Sequence, residues 1–200
     1  MDNDCNLAAL GEWRFGAGRG YHSTLYVTVS TGVGGGLVVD GEIYSGSRGF
    51  AAEVGHMKLT DRPFWCGCGR TGCVESAISG PSIVRRAEES GWTPEDGSEP
   101  TTRSIFEAAN SGDKVAYGIV ERAAGYFAEA LVNFVYAYDP AVIAVGGGVT
   151  DQGLFMRLTL KAFERVSMMT AFRGVPVVRA ALGGRSVVAG AFVAARRSAG

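Results

Sequence analysis

Ala141-Val-Ile-Ala-Val-Gly-Gly-Gly148 decides the fold class. Five apolar residues run straight into three glycines, the pattern of a buried strand ending in a tight turn, and a helical pattern follows around Leu154 to Val166. The chain then repeats the arrangement, with Val175 to Leu182, Gly183-Gly184, and a final helix from Val187 to Arg197. Strand, glycine turn and helix, twice over, predict an α/β architecture. Upstream, Asp139-Pro140 stops a long amphipathic helix carrying Val115, Ile119, Ala123, Tyr126, Phe127, Ala130, Leu131 and Phe134, the second of two helices expected between Thr102 and Ala137. Gly91 to Glu99 is a polar loop too short for a domain linker, and residues 76–90 read as helical. At the other end, residues 5–17 read as a helix running into a loop at Gly16, Gly18 and Gly20. Ser23 to Ser30, rich in β-branched residues, is followed by a glycine turn over Thr31-Gly-Val-Gly-Gly-Gly36. Leu37-Val-Val, Asp40-Gly41 and Glu42-Ile-Tyr come next, a succession of antiparallel strands with Asp-Gly as the hairpin signal.

The chain has 200 residues, 46% of them hydrophobic and 20% charged, enough to bury a core in one domain or slightly more. Nineteen basic against twenty acidic residues give a net charge of −1, which provides no field to recruit nucleic acid or an anionic membrane. No apolar run reaches the ~20 residues that span a bilayer, and no basic segment leads into an apolar core at the N-terminus, so a cytoplasmic protein is expected. Thirty glycines are about twice ordinary usage, and each raises the entropic cost of folding.

Three of the four cysteines fall within Cys66-Gly-Cys68-Gly-Arg-Thr-Gly-Cys73, with His56 ten residues upstream. Spacing this tight favours thiolates on a metal over a disulfide framework, and Cys3His is a closed, structural zinc set with no position for water. Reduced buried thiols beside a surface histidine are the alternative. Glu53 and Glu75 flank the knot and would be held rigidly enough to grip a polyhydroxylated ligand, or else are solvated charges. The glycine runs at Ser30 to Gly36 and Gly146 to Gly148 expose backbone N–H groups suited to phosphate, although neither is a P-loop nor a dinucleotide fingerprint. Asp2-Asn3-Asp4 precedes the first helix as an N-cap cluster in which an aspartate could serve as a general base.

Together these motifs resemble the ROK family of bacterial sugar kinases and repressors, its glucokinase-like members in particular. The resemblance rests on Asn3-Asp4-Cys-Asn6 with Ala8-Ala-Leu-Gly-Glu12, Ser30-Thr-Gly-Val-Gly-Gly-Gly36, Glu53-Val-Gly-His56, Cys66-Gly-Cys-Gly-Arg-Thr-Gly-Cys-Val-Glu75 and Val145-Gly-Gly-Gly148. It implies an actin-like ATPase (ribonuclease H-like) fold in which a hexose, glucose first among candidates, and ATP with Mg2+ meet in a cleft. Asp4 is then the general base, Asn3, Glu53, His56 and Glu75 hold sugar hydroxyls, and Thr31, Gly32, Gly146 and Gly147 contact the nucleotide. His56, Cys66, Cys68 and Cys73 bind structural Zn2+, the remaining imidazole N–H being a positioned donor. A homodimer or homotetramer is implied as well.

The sequence departs from the family pattern in places. Family kinases begin roughly one hundred residues earlier with an Asp-x-Gly-Gly-Thr phosphate turn. No Asp-x-Gly-Gly occurs here, so residues 1–200 are expected to be mostly the C-terminal domain of a ROK sugar kinase, without the N-terminal phosphate segment. Arg185 and Ser186 stand where many members have an acidic residue, and Cys5 replaces the usual alanine. Two other readings follow: a sugar-binding chain without turnover, or the sugar domain of a repressor, although no winged helix or basic patch is present in the chain.

Overall fold

The computed structural model describes residues 3–166 and 174–198. Asp2, part of the expected N-cap cluster, lies outside them. At the centre runs β1 (Ser23–Val29), whose alternating side chains face two different cores. Leu25, Val27 and Val29 pack into one hydrophobic cluster, while Tyr26 packs into the other. β4 (Val142–Gly146) lies parallel to β1, with Thr24 opposite Val142 and Thr28 opposite Gly146, and divides in the same way: Ile143 and Val145 one way, Ala144 the other. Burial on both faces is what a strand flanked by helices requires, and it explains the continuous apolar run at 141–145.

On the other side of β1, β2 (Val33–Val39) pairs antiparallel, Val29 facing Val33 and Ser23 facing Val39. The Asp40-Gly41 turn carries φ values of 49° and 87° and leads into β3 (Glu42–Ile43), as the hairpin signal predicted. β5 (Val177–Arg179) pairs parallel with β4 and completes a five-stranded mixed sheet in the order β3-β2-β1-β4-β5.

The larger core lies on the face covered by α4 (Thr102–Asn110), α5 (Lys114–Tyr138) and α6 (Gly153–Val166), where Phe106, Phe127, Phe134 and Phe155 are fully buried. Phe127 and Phe155 stack at 5.8 Å between ring centroids. α5 is capped by Asp113, whose Oδ1 accepts from Ala116 N at 2.8 Å, and stops at Asp139, which turns left-handed at φ 41° just before Pro140. The opposite face carries α1 (Asp4–Phe15) and α7 (Ser186–Ser198), with Ala8, Ala9 and Leu10 against Tyr26, Val38 and Val193. Among the described residues no helix is long and apolar enough to cross a membrane.

The helical stretch expected over 76–90 is present as α2 (Val74–Ile78) and α3 (Gly80–Glu89), divided at Ser79, which is extended at ψ 158° ahead of Pro81 and both ends one helix and caps the next. Two sequence expectations are corrected. The strand over Val175 to Leu182 shortens to three residues. After Ala180 N–H reaches Val145 O, the N–H groups of Ala181 and Leu182 leave the sheet for the Glu12 carboxylate. Finally, the glycine turn ends at Gly32. Gly34, Gly35 and Gly36 lie inside β2, where a Cβ at Gly34 would lie 2.5 Å from Cys5 Sγ, one at Gly35 would lie 2.8 Å from Ala52 O, and one at Gly36 would overlap Cys5 O. These glycines let the chain pack closely against both faces of one strand.

Candidate functional site

The close approach at β2 assembles the site. On one face α1 begins, with Asn3 as its N-cap: Oδ1 accepts from Asn6 N at 2.8 Å, leaving the Nδ2 hydrogens for another acceptor. Asp4 follows in the first turn, exposed, where a helix N-terminus favours negative charge. On the other face the segment from Ala52 to His56 crosses β2. Ala52 takes the left-handed φ of 61°, so the chain reverses just before Glu53, and Val54–His56 then form one 3-10 turn. Asp4 and Glu53 converge on Cys5. Burial first, then the negative charges of Glu53 and Asp4, raise its thiol above the ordinary value. Burial likewise raises the Tyr138 hydroxyl, which meets the Ala52 backbone and senses the charge of Glu53.

His56, Cys66, Cys68 and Cys73 bring four ligand atoms within 4.8 Å of one another. Cys66 Sγ lies 3.6 Å from His56 Nδ1, and Cys68 Sγ lies 3.7 Å from Cys73 Sγ. Metal–sulfur bonds of about 2.3 Å and a metal–nitrogen bond of about 2.0 Å at tetrahedral angles require about 3.8 Å between sulfurs and about 3.5 Å between sulfur and nitrogen. The side chains therefore fit one tetrahedral ion. Disulfides are excluded, since all four cysteines are free.

Backbone geometry builds this knot. Cys66 N–H donates to Arg70 O at 2.9 Å and Gly69 N–H to Cys66 O at 3.0 Å, closing a turn with Gly69 at φ 83°. Gly72, at φ 73°, lies against Thr60 O so closely that a Cβ would overlap it. Burial pushes the Cys66 thiol up to about 12 and raises Cys73, whereas a backbone hydrogen bond from Arg70 lowers Cys68. A dication bound by the three sulfurs overrides these differences by deprotonating each of them.

Glu75 joins the knot to the β1–β2 turn. From the first turn of α2 its Oε2 accepts from Val33 N at 3.0 Å, while Oε1 lies 3.5 Å from Cys66 Sγ. A Cβ at Gly32 would lie 2.7 Å from Glu75 Oε2, so a side chain here would push the carboxylate aside. On the far side of the turn, Ser30 O accepts from Gly80 N at 2.8 Å, fastening it to the start of α3.

The parallel register of β1 and β4 sets the β1–β2 turn beside the glycines that follow β4, at the carboxyl ends of the two strands, the location where open α/β sheets bind ligands. A cleft of about 570 Å³ opens there, lined by Ser30 and Thr31, by Gly148, Val149 and Gln152, by one side of α3 from Gly80 to Glu88, and by Pro100 to Arg103 at the start of α4. Of the glycine residues singled out for the nucleotide, Gly32 lies against Glu75, Gly146 ends β4 beneath the Tyr26 hydroxyl, and Gly147 packs on Val29 O at φ 99°. Gly148 and Val149 line the cleft instead. Thr101, Thr102 and Arg103 were also missed as cleft residues, although the Thr101–Ser104 capping box marks a helix start in the sequence.

The fold has known counterparts. The family model described as "ROK family" matches residues 1–198. A glucokinase of Halalkalibacterium halodurans is 36% identical over 202 residues, covering 95% of this chain, which spans 61% of that protein's length. The crystal structure of a ROK hexokinase from Thermus thermophilus superposes with a TM-score of 0.87 at 36% identity, covering 96% of this chain and 65% of the other. A ROK family glucokinase from Streptomyces griseus, in complex with glucose and AMPPNP, gives the same score and identity over 98% of this chain and 68% of the other.

Proposed function

The chain belongs to the ROK family and has its actin-like ATPase fold, and from that premise we propose that its site phosphorylates a hexose with ATP, glucose being the first candidate. The observation that carries the reading is Glu75, which touches the cysteine knot with one oxygen and the β1–β2 turn with the other. Its carboxylate thus lies between the knot and the cleft, and in this reading it takes sugar hydroxyls there. Glucose and the ATP analogue bound by the Streptomyces griseus glucokinase support the same pairing of ligands.

In this reading Asn3, Glu53, His56 and Glu75 hold the sugar. His56, Cys66, Cys68 and Cys73 would hold a zinc ion, which would fix the imidazole and the loop in place and leave no position for water. His56 turns Nδ1 toward Cys66 and so keeps Nε2 for a sugar hydroxyl. ATP with Mg2+ would enter the cleft at Thr31, Gly148 and Val149, with Gly32 and the Gly146–Gly147 turn shaping the backbone behind them. Asp4 takes the proton of the acceptor hydroxyl as its oxygen attacks the γ-phosphorus. The bond from that phosphorus to the β–γ bridging oxygen breaks and ADP leaves. Positioning supplies most of the acceleration, which suits a site built from close backbone contacts. A homodimer or homotetramer belongs to the same reading and is checked by sedimentation.

A coupled ADP assay with glucose tests it. Turnover by the purified chain, lost in Asp4→Asn with zinc content unchanged, is the expected result. ADP release that Asp4→Asn leaves intact would remove Asp4 from the chemistry. Glucose binding without ADP formation would assign sugar recognition alone.

A further inference from the structure

A second cavity, of about 260 Å³, is lined by Arg62, Phe64, Arg86, Glu89, Arg122 and Tyr126 among others. None of these residues lines the larger cleft. Arg86 is only 8% exposed. Its guanidinium lies against two rings that meet edge to face, 4.9 Å from the Phe64 centroid and 5.6 Å from the Tyr126 centroid. Nη2 donates to Ala77 O in α2, while Nε and Nη1 have no hydrogen-bond partner among the described residues.

The charges around the cavity do not balance. Three guanidiniums face one carboxylate, Glu89, which is 4.0 Å from Arg85 instead. Among the described residues Arg62, Arg86 and Arg122 have no ion pair. Burial draws Arg86 down to about 10, and nearby Arg85 and Arg122 act in the same direction. A buried cation with orphaned donors is costly unless an anion completes it.

We propose that this cavity binds a phosphoryl dianion, as inorganic phosphate or as a phosphate monoester. Three guanidiniums less one carboxylate leave a formal charge of +2, the complement of a dianion. Guanidinium forks match phosphate oxygens in pairs, and the two rings hold the Arg86 plane in place for such a contact. The site also touches the functional machinery. Phe64 O accepts from Gly72 N at 2.8 Å within the cysteine loop, and Ala77, bonded by Arg86, lies two residues after Glu75. An anion here braces both the knot and α2.

Calorimetric titration of the full, zinc-loaded chain with inorganic phosphate at fixed ionic strength tests the site. Glycerol 3-phosphate and acetate serve as further arms. Saturable phosphate binding is expected, weakened at least about tenfold by R122Q and by R62Q, since each removes one charge-assisted contact. Arg62 and Arg122 are exposed, so these variants keep the test valid if R86M fails to fold. Tighter binding of glycerol 3-phosphate than of phosphate assigns a monoester, and equal or weaker binding assigns the free ion. No saturable heat below about 10 mM phosphate, a weak-binding limit, overturns the proposal. So does an affinity that R122Q and R62Q leave unchanged, or acetate binding as tightly as phosphate.

Discussion

Replacing Glu12 by glutamine breaks the link that holds α1 against the C-terminal elements. Glu12 is fully buried, and its two oxygens accept four bonds. Oε2 accepts from Ala17 N and Ala181 N, both at 2.9 Å, and Oε1 from Leu182 N at 2.9 Å and Ser186 Oγ at 2.7 Å. A glutamine in the same rotamer keeps one acceptor oxygen and presents an NH2 to the other pair. With the NH2 toward Leu182 and Ser186, the serine hydroxyl can turn and accept, but Leu182 N–H is stranded against another donor. One buried N–H without a partner costs about 1–3 kcal/mol, and losing the charge from the remaining bonds costs about 1 kcal/mol each, partly offset because no carboxylate need be desolvated. The net loss is about 2–4 kcal/mol, a large part of the 5–15 kcal/mol that ordinarily holds a domain together. Ser186→Ala alone leaves three donors on Glu12 and should cost about 1–2 kcal/mol. Because the hydroxyl rescues half of the glutamine's mismatch, the two changes should be non-additive by about 1 kcal/mol in a double-mutant cycle. Urea unfolding followed by circular dichroism, at saturating zinc and with unchanged m-values, reads all three quantities. An E12Q midpoint indistinguishable from the parent would refute the reasoning, since it would mean that the four bonds contribute nothing net.

Other consequences follow from the same contacts. Chelating the metal should lower the melting temperature by several degrees and abolish glucose binding in calorimetry, because metal binding to a closed thiolate set is folding free energy; a chelated chain with unchanged melting would argue against a structural ion. Gly190→Ala places a Cβ onto Leu7 O at the α1–α7 crossing, and a loss of about 2–4 kcal/mol in urea unfolding is expected from such overpacking. Burial and the charges of Glu53 and Asp4 raise the folded-state Cys5 thiol above its ordinary 9.0. The unfolded chain therefore releases this proton first, and stability falls as pH rises past that value; C5A should flatten the decline in urea midpoint between pH 8.5 and 10, and an identical slope would dismiss the assignment.

Much of this architecture was legible because its signals are local. The apolar run ending at Gly146, the Asp40-Gly41 turn and the stop at Asp139-Pro140 are each decided within a few residues, and each is present in the fold. The clustering of His56 with the cysteines was legible for the same reason, since three of these side chains fall within eight residues. Contacts across the chain were not. That Gly34 to Gly36 form a strand depends on α1 lying against one face and Ala52 against the other, and a run of glycines alone cannot distinguish a turn from a crowded strand. Glu12 read as part of a helix and of a family motif, yet nothing local shows that it captures the N–H groups of Ala181 and Leu182 about 170 residues away and so ends β5. The basic cavity stayed hidden because Arg62, Arg86 and Arg122 come from a loop and two helices, with no spacing in the sequence to connect them.

The central claim is that this zinc-ordered site transfers phosphate from ATP to a hexose with Asp4 as base. Phosphorus NMR of the purified chain with glucose and MgATP, run in parallel with Asp4→Asn, tests it most directly. The account predicts a sugar phosphate signal growing with ADP, slowed by about 10²–10⁴ in the variant, with zinc content equal in both. Sugar phosphate formed at the same rate by Asp4→Asn, or none formed by the zinc-loaded parent that still binds both ligands, would contradict it.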